Sequence, residues 1–333
     1  METVMETALR FAPFFEPIRD EMERMERVLQ ETIAGFDEPL SSRLRGLMVG
    51  GKRLRPALVM LTGQVFYAHT ADIGRASFQS LAAAVEMLHT ATLIHDDLVD
   101  GSPLRRGRAT LHTTWPAGAT VLAGDYLMAQ ASWLVADLGN PRLLKIFAET
   151  LCAMCSGEIE QLRFTDGKRR TREAYYRHIE SKTASLCAAA MEMAGVLAGA
   201  EESHVGALRR FGRELGLAFQ IADDVLDFVG DEKRLGKPAG SDLRRGLVTL
   251  PAICHLERVP DDVVLRAVLD GRRDAEHVRA AVEAVRASGA IEAALAEARA
   301  HAARGQRALS GLPDNAPRRM LCALADYAVE RGR

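Results

Sequence analysis

The chain of 333 residues is 48% hydrophobic and 26% charged, enough apolar material for one large core or two ordinary ones. A formal charge of −2 excludes a general attraction for nucleic acid or acidic headgroups, and five scattered cysteines exclude a disulfide framework and point to a reducing compartment. Phe11 to Phe15 is flanked by acidic residues, unlike a leader, and the longest apolar tract, Leu186 to Ala200, is broken by Glu192 and too short to span a bilayer. A soluble, cytoplasmic protein without a transmembrane segment is expected.

In order, the chain reads as helix after helix. From Ile18 the positions Met22, Met25, Leu29 and Ile33 recur with helical period, and Gly35 stands where a C-cap residue would. Leu40 to Met48 is a shorter helix stopped by Gly50 and Gly51. Lys52 to Tyr67 follows, then a long helix from Arg75 to Asp100, ended by Gly101 and Pro103. Thr114 to Asp137, Arg142 to Phe164 and Arg172 to Leu197 give three more, and Glu201 to Val229 another. A polar, glycine-rich stretch from Gly230 to Gly246 precedes alanine-rich C-terminal helices. With no alternating strand pattern and no Pro- or Gly/Ser-rich linker, residues 1–333 are expected to form one all-α domain.

Two aspartate clusters stand out. Asp96, Asp97 and Asp100 share a DDxxD spacing with Asp223, Asp224 and Asp227. In a helix the first and last aspartate of each cluster lie on one face, where each pair repels by roughly 3 kcal/mol at about 5 Å and an effective dielectric near 20. A solvated acidic face would have polar flanks. Here Leu93, Ile94, Leu98 and Val99 flank one cluster, and Phe219, Ile221, Val225, Leu226 and Phe228 the other. Carboxylates set into apolar helices call for cations.

Basic residues occur in small groups around the clusters. Lys52 and Arg55 sit one turn apart after a Gly-Gly break, a geometry suited to a polyphosphate but also ordinary in a loop. Arg105, Arg106 and Arg108 directly follow Asp100. They could pair with the aspartates at the surface, or hold phosphate oxygens whose other contacts are Mg²⁺ bridged to the carboxylates. Lys182, Thr183 and Lys237 could supply more phosphate donors, but each by itself is more often a surface residue.

Taken together, the stretches Gly50 to Pro56, Glu86 to Asp97, Arg105-Arg106-Gly107, Gly157 to Leu162, Lys182-Thr183, Gln220 to Asp227 and Gly236-Lys237-Pro238 resemble the trans-isoprenyl diphosphate synthases, in the family's order, from about residue 45 to residue 251. The resemblance, to the medium- and long-chain type, implies an antiparallel helical bundle around a central cavity. It implies a prenyltransferase that joins an allylic diphosphate primer to successive isopentenyl diphosphate units. Asp96 and Asp100 would hold two Mg²⁺, and Asp223, with Asp227 in support, a third, about three ions per site. Asp97, Asp224 and Lys182 complete the catalytic set. Arg105, Lys182, Thr183, Gln220 and Lys237 would surround the allylic diphosphate, whereas Lys52, Arg55, His89 and Arg106 would bind isopentenyl diphosphate. Ala91, with Met87 and Leu88, would set chain length: Ala91 lies about 7.5 Å of helix rise before Asp96, and its small side chain would allow a product of about thirty to fifty carbons. A homodimer is implied, with transient membrane contact for product release.

Many short-chain relatives carry a lysine where this chain has Leu247, so a phosphate contact there is absent or supplied elsewhere. A shorter geranylgeranyl product is the main alternative. From another class, Glu86-x-x-His89 and Glu201-x-x-His204 could belong to a di-iron carboxylate bundle, which would leave both aspartate clusters unexplained. Terpene cyclases share the first aspartate motif but not usually the second, and non-catalytic partners tend to lose aspartates that are all present here. Cys152-x-x-Cys155 lies mid-helix without a second pair and is expected to be small core residues.

Overall fold

The computed structural model describes residues 16–34, 38, 40–48, 51–66, 74–105, 107–163, 171–230 and 239–330. Their helices are α1 (Arg19–Ile33), α2 (Leu40–Met48), α3 (Leu54–Phe66), α4 (Arg75–Val99), α5 (Ala117–Asp137), α6 (Pro141–Arg163), α7 (Arg172–Ile179), α8 (Ser185–Leu197), α9 (Glu202–Val229), α10 (Ser241–Arg245), α11 (Leu250–Arg258), α12 (Val263–Leu269), α13 (Ala275–Ala287), α14 (Ala290–Ala308) and α15 (Ala316–Glu330). The all-α expectation holds. One small departure is a hairpin of two residue pairs, β1 (Leu104–Arg105) and β2 (Arg108–Ala109), which turns the chain back after α4. Gly35, Arg106 and Lys237 lie outside the described residues.

The chain divides into two compact units, one of residues 1–148, 189–208 and 312–321, the other of 149–188, 209–311 and 322–333. The first is built on α4. Leu81, Ala82, Ala83, Ala84, Val85, Met87, Leu88 and Ala91 are fully buried, so α4 is covered on all sides over this stretch, and α5 packs along it. At Gly124 of α5 an added Cβ would collide with the His95 ring, so α5 crosses α4 in contact with the residue next to Asp96. Helices α1 and α3 cover other parts of α4. In the second unit, α11 packs on α14 and α12 on α13, with Phe211, Leu215, Ala218, Ile221, Ala222, Val225 and Phe228 of α9 buried at helical spacing.

Between α7 and α8 the helix does not continue regularly: Glu180–Ala184 forms a π-helical turn. Three close approaches surround it. A Cβ on Gly157 of α6 would lie 2.5 Å from the Ser181 Cβ, one on Gly216 of α9 would lie 2.5 Å from the Ala184 Cα, and one on Gly212 would strike the Cys187 carbonyl. Arg213 donates to both carboxylate oxygens of Glu180 at 2.6 and 2.8 Å. Such π turns recur at functional sites, and this one carries Lys182 and Thr183.

Cys152 and Cys155 are exposed on α6, not core residues as expected. Met154 and Gly157 take the inward positions, and the cysteines share the outer face with Ile159 and Leu162.

Candidate active site

In the first unit the aspartates occupy the last turn of α4. Gly101, at φ 62°, ends the helix: its N–H donates to the Leu98 carbonyl, and the Ser102 N–H donates to the Asp97 carbonyl. Three carboxylates therefore crowd the C-terminal end of a helix, where the macrodipole is already negative. The cluster separates by face. Asp97 is buried and accepts from Arg105 at 2.9, 2.8 and 2.7 Å, while Asp96 is half-buried and Asp100 exposed. Burial opposes the Arg105 charge, but the hydrogen bonds it donates to Asp97 and the charges of all three aspartates raise its pKa on balance.

The basic segment beside it is anchored by Arg53, whose φ of 46° is unusual for a residue with a Cβ. Its guanidinium donates to Glu26 of α1 at 2.6 Å, to Glu86 of α4 at 2.7 Å and to the Met48 carbonyl. That clamp ties Arg53, between Lys52 and Arg55 in the chain, to α4 at Glu86, one turn before His89. The Arg55 Nε is sealed from solvent and has no partner among the described residues, a donor that a bound anion would satisfy.

In the second unit, Asp223, Asp224 and Asp227 sit near the end of α9, again at the negative pole. Asp223 is exposed. Asp224 is buried and accepts from the Tyr175 hydroxyl at 2.6 Å and from the Gln220 amide at 2.8 Å. Burial, with the charges of Asp242 and Asp223, pushes its pKa well up against those two bonds. Asp227 is also buried, and accepts from the Ser241 hydroxyl at 2.6 Å and the Asp242 N–H at 3.0 Å, which ties α10 to the cluster. The Thr183 hydroxyl donates to Gln220 at 2.8 Å, and the Lys182 ammonium lies 2.7 Å from Glu158. His178, one turn before Lys182, is held neutral, its pKa pushed down to about 4 by burial and by the Lys182 charge.

Among the described residues no three His, Cys, Asp or Glu side chains converge as a ready metal cage. Mg²⁺ does not require one, because it is held by one or two carboxylates together with waters and phosphate oxygens. Hard carboxylate oxygens at two negative helix ends fit that ion. Among the described residues the di-iron alternative finds no ligand set: Glu86 is committed to Arg53, Glu201 precedes α9, and His204 packs on the Phe66 ring at 5.9 Å.

Sequence reasoning missed Tyr175, Glu158 and Arg53 as organising residues. It also missed the role of Gly212 and Gly216, although their spacing of four on the buried side of α9 was a visible sign of close helix contact.

Residues 38–285 match the family model described as polyprenyl synthetase. The chain is 38% identical over 317 residues to "Heptaprenyl diphosphate synthase component 2" of Geobacillus stearothermophilus, covering 94% of this chain and 97% of that one. It is 38% identical over 323 residues to the nonaprenyl diphosphate synthase of Mycobacterium tuberculosis, covering 96% and 95%. The crystal structure of a polyprenyl synthase from Caulobacter crescentus CB15, complexed with calcium and isoprenyl diphosphate, superposes with a TM-score of 0.86 at 37% identity over 96% of this chain and 97% of that one. With its aspartate-bearing helices inside the matched span, this chain belongs to the polyprenyl synthetase family.

Proposed function

We propose that the protein is a trans-prenyltransferase that adds isopentenyl diphosphate units to an allylic diphosphate primer, giving an all-trans polyprenyl diphosphate of about thirty to fifty carbons, the range of its hepta- and nonaprenyl relatives. The observation that carries the proposal is the pair of aspartate clusters, each at the negative end of a helix, with Asp97 tied inward in the first and Asp224 and Asp227 in the second, and with Asp100 and Asp223 exposed. Residues 1–333 act as a single domain in this proposal, since the family match spans both units.

Asp96, Asp100 and Asp223, with Asp227 in support, would hold about three Mg²⁺. Held by those carboxylates, Mg²⁺ would supply the positive charge that stabilises the departing pyrophosphate. Asp97, through Arg105, fixes the first cluster. Arg105, Lys182, Thr183, Gln220 and Lys237 bind or frame the allylic diphosphate, and Lys52, Arg55, His89 and Arg106 bind that of isopentenyl diphosphate. As the primer's C–O bond breaks, the isopentenyl double bond attacks the allylic carbon and a proton is then lost to the pyrophosphate. No protein nucleophile takes part. Incubation with labelled isopentenyl diphosphate, Mg²⁺ and primers of several lengths, followed by sizing of the dephosphorylated products, should give heptaprenyl-like or longer alcohols. A product that stops at geranylgeranyl length would favour the shorter-chain alternative, and no incorporation would overturn the proposal.

The same proposal includes a homodimer working in the cytoplasm, where the free thiols would persist. Support for self-association comes from apolar side chains left at the surface: Leu122 (68% exposed) and Trp133 (61%) on α5, and separately Ile159 and Leu162 on α6. Among the described residues no helix is long and apolar enough to cross a membrane. Light scattering at micromolar concentration should return twice the chain mass of 36.3 kDa; a monomer with full activity would contradict this.

A further inference from the structure

We propose that Tyr175 and Gln220 are positioning residues for the second aspartate cluster, fixing Asp224 so that Asp223 is presented in one orientation. The inference rests on the prenyltransferase proposal for what the cluster does, but its geometry lies wholly within the second unit.

In a helix Asp223 and Asp227 share a face, while Asp224 is rotated by about 100° from Asp223. That rotation takes its side chain into the core, where a carboxylate without donors is strongly unfavourable. Each oxygen has one strong donor, the Tyr175 hydroxyl on one and the Gln220 amide on the other. The Gln220 orientation is itself set, because its carbonyl oxygen accepts from Thr183 and only the NH₂ remains for Asp224. The result is a chain of donors from Thr183 through Gln220 to Asp224 and Tyr175. It links the π turn, α7 and the end of α9. Asp224 therefore works as a pin: with both oxygens engaged and the side chain buried, it sets the rotation of the helix end that carries Asp223. Outer partners of metal-binding carboxylates act in this way, and their loss typically weakens metal affinity by about 10- to 100-fold.

Neighbouring Tyr176 supplies an internal control. Its ring meets that of Tyr175 edge-on at 5.5 Å, but its hydroxyl donates to Glu297 of α14 and not to Asp224.

The test is titration of Mn²⁺ into the full-length protein with inorganic pyrophosphate, read by the electron paramagnetic resonance of free Mn²⁺, alongside the Mg²⁺ dependence of turnover. Tyr175→Phe should raise both half-saturation concentrations by about tenfold or more, with the helical circular dichroism unchanged. Asp224→Asn should do the same, and the double variant should be no worse than the worse single one, because one interaction is lost in all three. Tyr176→Phe should stay within about twofold of wild type. An unchanged midpoint in Tyr175→Phe, additive effects in the double variant, or an equal shift in Tyr176→Phe would each overturn the assignment. Should Tyr175→Phe not fold, Gln220→Leu removes the other donor and must give the same rise, a wild-type midpoint there being equally decisive. The Mn²⁺ arm does not depend on turnover, so a wild-type protein that made no polyprenyl product would overturn the proposed function while leaving the positioning result readable.

Discussion

Asp96→Ala and Asp223→Ala should each lower turnover by about three orders of magnitude or more, an effect of at least about 4 kcal/mol on the barrier, while the helical fold survives. Asp96 shares a helix face with Asp100, and Asp223 with Asp227, at a negative helix end, so each alanine relieves some like-charge repulsion, set at Asp96 against the loss of its attraction for Arg105. The same removal takes away a carboxylate that would bring Mg²⁺ to the diphosphate, where charge stabilisation of the leaving group is the main source of rate. Neither residue is fully buried, so the truncation leaves no cavity. Steady-state turnover with and without excess chelator, paired with thermal melts, measures both sides. Full activity in either variant or in chelator would remove the metal mechanism.

The second large effect is on product length. Ala91→Phe should shorten the product by several five-carbon units while sparing the first condensation, at a stability cost below about 1 kcal/mol, where overpacking of a closed core would typically cost about 1–3 kcal/mol. Ala91 is fully buried on α4, as are Met87 and Leu88. It lies about 7.5 Å along the axis from Asp96 and, five residues on, is turned about 140° from it. A phenyl ring there would meet the growing tail early if Ala91 lines its path. Sizing the products of the variant and melting it in parallel decides the matter. An unchanged distribution with a markedly lower melting point would show Ala91 packed against protein and remove it from the path.

How much of this was legible in the sequence follows from what periodicity reports. α4 and α9 have patterns long enough to fix their ends to within a residue or two, and the DDxxD spacing gave the face of each aspartate. The partners were not legible. Nothing in a run of residues says that Tyr175 reaches Asp224 across 49 positions, or that Arg53, rather than Lys52 or Arg55, is the residue bound to Glu86. The hairpin at Leu104 to Ala109 was too short to produce alternation. α10 was hidden in a polar stretch, since five residues cannot display a period. Cys152 and Cys155 looked like core because they are small, yet burial is decided by the face of α6 on which they fall.

The π turn at Glu180–Ala184 has a consequence for anyone who would make this protein more robust. Helix idealisation, a common route to thermostability, would single out this segment and delete one residue, merging α7 and α8 into one regular rod. Such a deletion would rotate everything upstream by about 100° about the helix axis relative to α8. Tyr175 would then swing off Asp224, and the turn that carries Lys182 would lose the close approach of Ser181 to Gly157. The irregular turn is the phase adjustment that lets one continuous stretch of chain serve both a packed core and a charged site, so a design that straightened it would gain a better helix and a poorer enzyme.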